Sequence, residues 1–127
     1  DYAVSRDDVD PSDVSLLGVG LGAAMALHAA LLDVRVSAVT ARRSLISYKS
    51  LALNELYDCH VNVMVPGVIG RYDLSDLVAG IAPRPVRLAE TLDHMKTPAD
   101  TKAIEAEYAM CRAAYSALGA EGVLHLQ

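Results

Sequence analysis

The chain has 127 residues, of which 53% are hydrophobic, and it carries 11 basic against 16 acidic side chains. This length supports one domain with its own core, and the interrupted apolar segments exclude a membrane span. The net charge of −5, without a long run of Lys or Arg, argues against a nucleic-acid partner. Phe and Trp are absent, so small aliphatic side chains and tyrosines must fill the core, which favours helices packed on a sheet.

The first part of the chain predicts a strand, a helix and a second strand. An acidic lead-in over residues 1–13, which can begin with a short helix, precedes an apolar run at 14–17 that ends in glycines, typical of a buried strand entering a tight turn. Residues 23–32 are apolar on every side apart from His28, which indicates a helix covered on both sides. The β-branched residues 36–40 predict the second strand, parallel to the first.

The middle of the chain predicts more helix than strand. Residues 44–56 have helical spacing, residues 61–65 fit a strand or a loop, and residues 73–81 predict a short helix that is ended by prolines. A third strand is predicted at 86–89.

The most regular helical pattern lies near the carboxyl end of the chain. Thr97, Pro98 and Asp100 are expected at the N-cap, first-turn and N3 positions of this helix, and Gly119 at its end. A last strand is predicted at 123–126. Alternation of this kind predicts the α/β class, a three-layer α/β/α fold with a mostly parallel sheet, as one domain over residues 1–127.

A glycine-rich turn is the most informative short segment. Gly18-Val19-Gly20-Leu21-Gly22 follows the first strand and opens the first helix. Further along lies Ile81-Ala82-Pro83-Arg84-Pro85-Val86, preceded by a stretch from Val65 to Leu77 that contains Pro66-Gly67 and Arg71-Tyr72-Asp73. Together these segments resemble the carboxyl-terminal half of α/β-hydrolases of the acetyl-xylan-esterase and dienelactone-hydrolase branch, over about residues 10–127.

The resemblance implies roles for several residues. In that superfamily the glycine turn holds G-x-S-x-G, so Gly20 stands where the nucleophilic serine would stand. The acid of the catalytic triad would fall on Asp93, and Gly18, Leu21 and Gly22 would surround the oxyanion site. The family's histidine would follow the last strand, beyond Gln127. Esterase ancestry is implied, with small or carbohydrate-linked esters as substrates, but catalysis should be impaired or should depend on a partner or missing segment because Gly20 has no attacking oxygen.

Other side chains offer weaker alternatives. The cluster Ser44, Ser47, Tyr48 and Lys49 contains a possible nucleophile and base, although capping is the commoner role of such residues. The histidines at 28, 94 and 125 are interpreted as structural more readily than as bases. Cys59 and Cys111 are interpreted as buried thiols, and the adjacent Cys59 and His60 do not have the spacing of metal ligands. No metal and no cofactor are expected.

A dinucleotide-binding module is the alternative from another class. Gly18, Gly20 and Ala23 also fit G-x-G-x-x-A between a strand and a helix, and Arg42 and Arg43 follow the second strand, where the 2′-phosphate of NADP would lie.

The chain begins at Asp1 without an initiator Met or a secretory apolar segment, which is typical of a piece of a longer protein. If the first predicted strand lies at a sheet edge, its apolar edge needs cover. We therefore expect a homo-oligomer, or cover by a missing amino-terminal half.

Overall fold

A computed structural model describes residues 2–59 and 61–127 of the chain. Its centre is a sheet of four parallel strands in the order β1-β2-β3-β4. The strands are β1 (Val14–Val19), β2 (Val36–Arg42), β3 (Val86–Ala89) and β4 (Leu124–Leu126). The α/β class and the parallel sheet are thereby confirmed, and the arrangement is consistent with a three-layer α/β fold of which the described residues form the sheet and one helical layer.

Five α-helices and three 3₁₀ turns connect or flank these strands in the described residues. The helices are α1 (Leu21–Leu32), α2 (Tyr48–Ala52), α3 (Leu74–Ile81), α4 (Thr101–Glu107) and α5 (Ala109–Ala117). The 3₁₀ turns are at Ala3–Ser5, Val61–Val63 and Glu121–Val123. Among the described residues, every helix is too short to cross a bilayer.

One layer of helices covers one face of the sheet. Helix α1 packs on β1 and β2, α3 packs beside α1, and α5 packs beside α3. The opposite face of the sheet is open in the described residues. Leu17 of β1 is 70% exposed there, and the residues paired with it across the sheet lead through Arg87 of β3 to His125 of β4, which are both exposed. The sequence analysis interpreted His125 as a structural residue. Its side chain is instead exposed, because β4 directs it to this open face.

Strand β1 lies at one edge of the sheet, with an apolar helix beside it. Within the described residues α1 is covered on one side only, since Met25 and Leu32 are 64% and 83% exposed, and cover of its other side stays a prediction. The buried side of the helix consists mainly of alanines with Leu27, which allow close packing on the strands.

The segment after β2 is less helical than its spacing indicates. Leu45 forms a parallel bridge with Leu92, and the Ile46 amide donates to the Leu92 carbonyl over 2.8 Å, so the chain here is extended. Helix α2 begins only after Ser47, whose hydroxyl caps it by accepting from the Ser50 amide at 3.1 Å.

A single carboxylate joins the beginnings of α2 and α3. One oxygen of Asp73 accepts from the amides of Tyr48 at 2.6 Å and Leu74 at 2.7 Å, and the other accepts from the Lys49 amide at 2.9 Å. The Asp73 amide donates to the Asp76 carboxylate at 2.7 Å, which completes a capping box at the start of α3. The orphan amides of two helices are thus satisfied by one side chain.

The long carboxyl-terminal helix begins later than expected and is broken in two. Asp100, not Thr97, is its N-cap, accepting from the amides of Lys102 and Ala103 at 3.0 and 3.3 Å. At Tyr108 the backbone leaves helical geometry between α4 and α5. The buried Tyr108 hydroxyl there donates to the Ile46 carbonyl at 3.0 Å, which ties the break to the chain after β2.

Candidate active-site cleft

A cleft of about 360 Å³ lies where the carboxyl ends of the strands meet. This edge of a parallel sheet is where α/β folds usually bind ligands. The glycine turn, the segment after β2, residues 58 and 59, the 3₁₀ turn at Val61–Val63 and the segment after β3 each contribute to the wall. The lining residues are Gly20, Leu21, Arg43, Leu45, Asp58, Cys59, Asn62, Val63, Leu92, Asp93 and Lys96.

Gly20 forms the apex of a sharp turn between β1 and α1. Its φ of 59° and ψ of −119° lie in a region that side chains rarely adopt. The turn is fixed because the Gly20 amide donates to the Arg42 carbonyl at 2.9 Å and the Gly20 carbonyl accepts from the Ala23 amide at 3.0 Å. A Cβ added at Gly20 would meet no atom within 4 Å, so a side chain here would project into free space.

Gly18 and Gly22 lie beneath this apex and let the helix approach the strand. A Cβ on Gly18 would collide with the carbonyl oxygen of Gly22 and come within 2.7 Å of the Ala23 Cα. Neither glycine lines the cleft, whereas Leu21, the first residue of α1, does. The amides of the first helical turn have no partner inside the helix, and Leu21 is the residue of that turn that lines the cleft.

Asp93 lines the same cleft as Gly20, but its carboxylate is engaged within its own loop. One oxygen accepts from the amides of Met95 and Thr97 at 2.8 and 2.9 Å, and the other accepts from the Thr97 hydroxyl at 2.6 Å. Partial burial raises the pKa of Asp93, yet the hydrogen bonds from Thr97 and Met95 outweigh it, so the pKa lies below its ordinary value. Thr97, expected as a helix cap, thus serves this loop.

The lowered pKa of Asp93 predicts a pH-dependent contribution to stability. Because the folded pKa is lower than the unfolded one, near 3.9, the contribution is present above that value and is lost as pH falls through the folded pKa. Replacing Asp93→Asn should therefore reduce the free energy of unfolding at pH 6, and the difference from the wild type should shrink as the pH falls below the ordinary carboxyl pKa of about 3.9. Urea unfolding of both proteins at several pH values measures this difference in the free energy of unfolding. A difference that does not change with pH would contradict the prediction.

Charged side chains line the cleft, and of these Lys96 and Asp58 were not named from the sequence. Lys96 pairs with Asp58 at 2.9 Å, and Arg43 lies 3.7 Å from Glu90. The Glu90 carboxylate lies closer to Arg42 than to Arg43, since Nε of Arg42 donates to it at 2.8 Å. The position of Arg43 just after β2 was a usable signal, because strand ends meet at this edge.

The chain has a bacterial relative. Over 101 residues, which are 79% of this chain, it is 30% identical to the protein named "Putative hydrolase YtaP" of Bacillus subtilis (strain 168). The matched part amounts to 34% of that protein's length, so this chain spans only about a third of it. No protein-family model matches the chain, and no solved structure matches it significantly. The likeness and the parallel sheet are compatible with a hydrolase-like fold, and they support hydrolase ancestry.

The alternative nucleophiles and bases lie outside the cleft. Ser44 and Ser47 are buried, Ser47 as a helix cap, and the Lys49 ammonium pairs with Glu107 at 3.3 Å. None of the described histidines, at 28, 94 and 125, lines the cleft.

The two cysteines differ in their surroundings. Cys111 is buried and its thiol donates to the Ser75 carbonyl at 3.0 Å, and burial raises its pKa to about 12, so it is unreactive. Cys59 is half-buried and lines the cleft. His60 lies outside the described residues, and within them no group of three His, Cys, Asp or Glu side chains could hold a metal ion.

Proposed function

We propose that this chain is a hydrolase-derived domain of carboxylic-ester-hydrolase ancestry that holds a small ester in the Gly20 cleft without cleaving it on its own. The observation that carries the proposal is the Gly20 turn, with φ 59° and ψ −119° and free space at the Cβ position. Such a strained strand-to-helix turn is how α/β-hydrolases raise their nucleophile above the sheet.

The surroundings of the turn support the same proposal. Asp93 and Gly20 line one cleft, although they lie far apart in sequence, and Leu21, the first residue of α1, lines the same cleft. Donors in this position can hydrogen-bond a carbonyl oxygen. Serine-type acyl transfer needs an attacking hydroxyl and a base, and the described residues lining the cleft include neither a serine nor a histidine, although Cys59 brings a thiol to it. Ligand retention without turnover follows from this combination.

Restoring an oxygen at the apex tests the proposal. With p-nitrophenyl acetate, the wild type should release p-nitrophenol no faster than buffer. The variant Gly20→Ser should become acetylated at least about tenfold faster than the wild type, with water taking the serine proton and p-nitrophenolate leaving, because the turn presents the new hydroxyl at the start of α1. Mass spectrometry of the intact chain and of its peptides measures the acetyl group and its position. The acyl group should persist, since no described histidine lines the cleft to activate water.

The matched control is Gly22→Ser, which adds the same hydroxyl two residues away, where a Cβ also meets no atom within 4 Å. Equal acetylation of both variants would show that the apex has no special geometry and would reject the proposal. Hydrolysis by the wild type that is lost in Asp93→Ala would instead show that another nucleophile operates. Circular dichroism checks that Gly20→Ser still folds, because a side chain at this φ costs about 1–3 kcal/mol.

A further inference from the structure

A second groove, of about 260 Å³, runs beside the Gly20 cleft along helix α1. Four of its residues lie on one face of that helix, and the rest come from α2 and from the loop before Pro66. They are Leu21, Ala24, Met25, His28, Tyr48, Asn62, Val63 and Val65. Among the described lining residues there is no Asp, Glu, Lys or Arg, so the groove favours an uncharged occupant.

The groove contains a buried donor without an acceptor. Tyr48 is 0% exposed, and its hydroxyl is the buried side-chain oxygen that makes no hydrogen bond within the described residues. The neighbouring hydroxyl of Tyr72 is already used: it lies 2.9 Å from Nε2 of His28, whose Nδ1 is 2.8 Å from the Ala24 carbonyl. Since a carbonyl can only accept, Nδ1 donates to it and Nε2 accepts from Tyr72. The Tyr72 oxygen could still accept, but the Tyr48 hydroxyl has no hydrogen-bonding partner in the described part of the structure.

An unsatisfied buried hydroxyl is costly, and native proteins rarely leave one. Burial raises the pKa of Tyr48 to about 12, with smaller effects of Tyr72 and Asp73, so the hydroxyl stays a proton donor at neutral pH. Its complement is therefore an acceptor such as a carbonyl oxygen. The groove has the volume of about nine water molecules, which corresponds to a small ring or a short chain.

We propose that this groove binds a small, uncharged carbonyl compound whose oxygen accepts the hydrogen bond of Tyr48. The site goes beyond the proposed ester function, because Gly20 and Asp93 do not line it. Leu21, Asn62 and Val63 line both spaces, so the groove and the cleft are adjacent and share a wall. Binding in the groove does not depend on acetylation of the Gly20→Ser variant, so either proposal can fail its test while the other holds.

Cyclohexanone is the probe, and Tyr48→Phe is the decisive variant. Removing an unpaired buried hydroxyl should raise the Tm of the free protein by about 3 °C or more. The same change should weaken cyclohexanone binding about five- to tenfold, measured by titration of the Met25 methyl signal in NMR. Cyclohexylammonium, of similar shape but charged, should bind at least about tenfold more weakly than cyclohexanone to the wild type.

The control variant is Tyr115→Phe, because the hydroxyl of this buried tyrosine donates to the Arg84 carbonyl at 2.7 Å. It should lower the Tm and leave cyclohexanone binding unchanged. A Tm that falls in Tyr48→Phe would mean that the hydroxyl is already satisfied, which overturns the proposal. Equal binding of cyclohexanone to the wild type and to Tyr48→Phe, or no shift of the Met25 methyl, would overturn it as well.

Discussion

Replacing Gly18→Ala is expected to cost about 3 kcal/mol of unfolding free energy or more, although it adds a single methyl group. The added Cβ would collide with the Gly22 carbonyl oxygen and lie 2.5 Å from the Gly22 carbonyl carbon. These are backbone atoms of α1, so no side-chain rotation relieves the contact. The helix must move away from β1, which also displaces the Gly20 turn. Urea unfolding followed by circular dichroism measures the loss.

Gly22→Ala is the matched control for this change. A Cβ at Gly22 meets no atom within 4 Å, and the residue lies in the first turn of α1, where alanine is favoured over glycine. This variant should be as stable as the wild type or more stable. If both variants unfolded at the same urea concentration, the close approach of strand and helix would not be the reason for glycine at position 18.

Replacing Asp73→Ala should also destabilise the protein by about 3 kcal/mol, because two helix beginnings lose their acceptor at once. The amides of Tyr48, Lys49 and Leu74 would be left without the carboxylate that lies 2.6 to 2.9 Å from them. The measurement is again the free energy of unfolding in urea. Helix α2 has only five residues, so it depends strongly on this cap.

Asp100→Ala removes a cap that serves α4 alone and provides the comparison. Its carboxylate accepts from Lys102 and Ala103 at 3.0 and 3.3 Å, and its loss should cost about 1 kcal/mol. Equal losses for Asp73→Ala and Asp100→Ala would contradict the idea that Asp73 holds two helices together.

The sheet was predictable because its signals are local. The apolar and β-branched runs placed all four strands, with errors at their ends: β1 continues to Val19 and β4 begins at Leu124. The glycine turn and the first helix followed from the same patterns. The helix after β2 was overestimated because the bridge between Leu45 and Leu92 is a long-range pairing, which periodicity does not encode.

The candidate site was predictable only in part. Gly20, Leu21 and Asp93 were named from a resemblance, and the structure brings them to one cleft without testing their roles. Lys96 and Asp58 reach that cleft through loop geometry, and the unpaired hydroxyl of Tyr48 depends on packing, so neither leaves a pattern in the sequence. The NADP-binding alternative, the homo-oligomer and the cover by a missing half stay predictions.

The fully buried tyrosines give this protein an unusual optical signature. With no tryptophan in the chain, near-ultraviolet absorption and fluorescence come chiefly from six tyrosines. Three of these, Tyr48, Tyr108 and Tyr115, are fully buried, whereas Tyr2 and Tyr57 are mainly exposed. The buried rings lie at the start of α2, at the break between α4 and α5, and within α5. Single Tyr→Phe variants would therefore assign the near-ultraviolet circular dichroism to separate helices, so that local loosening of each could be followed without an added label.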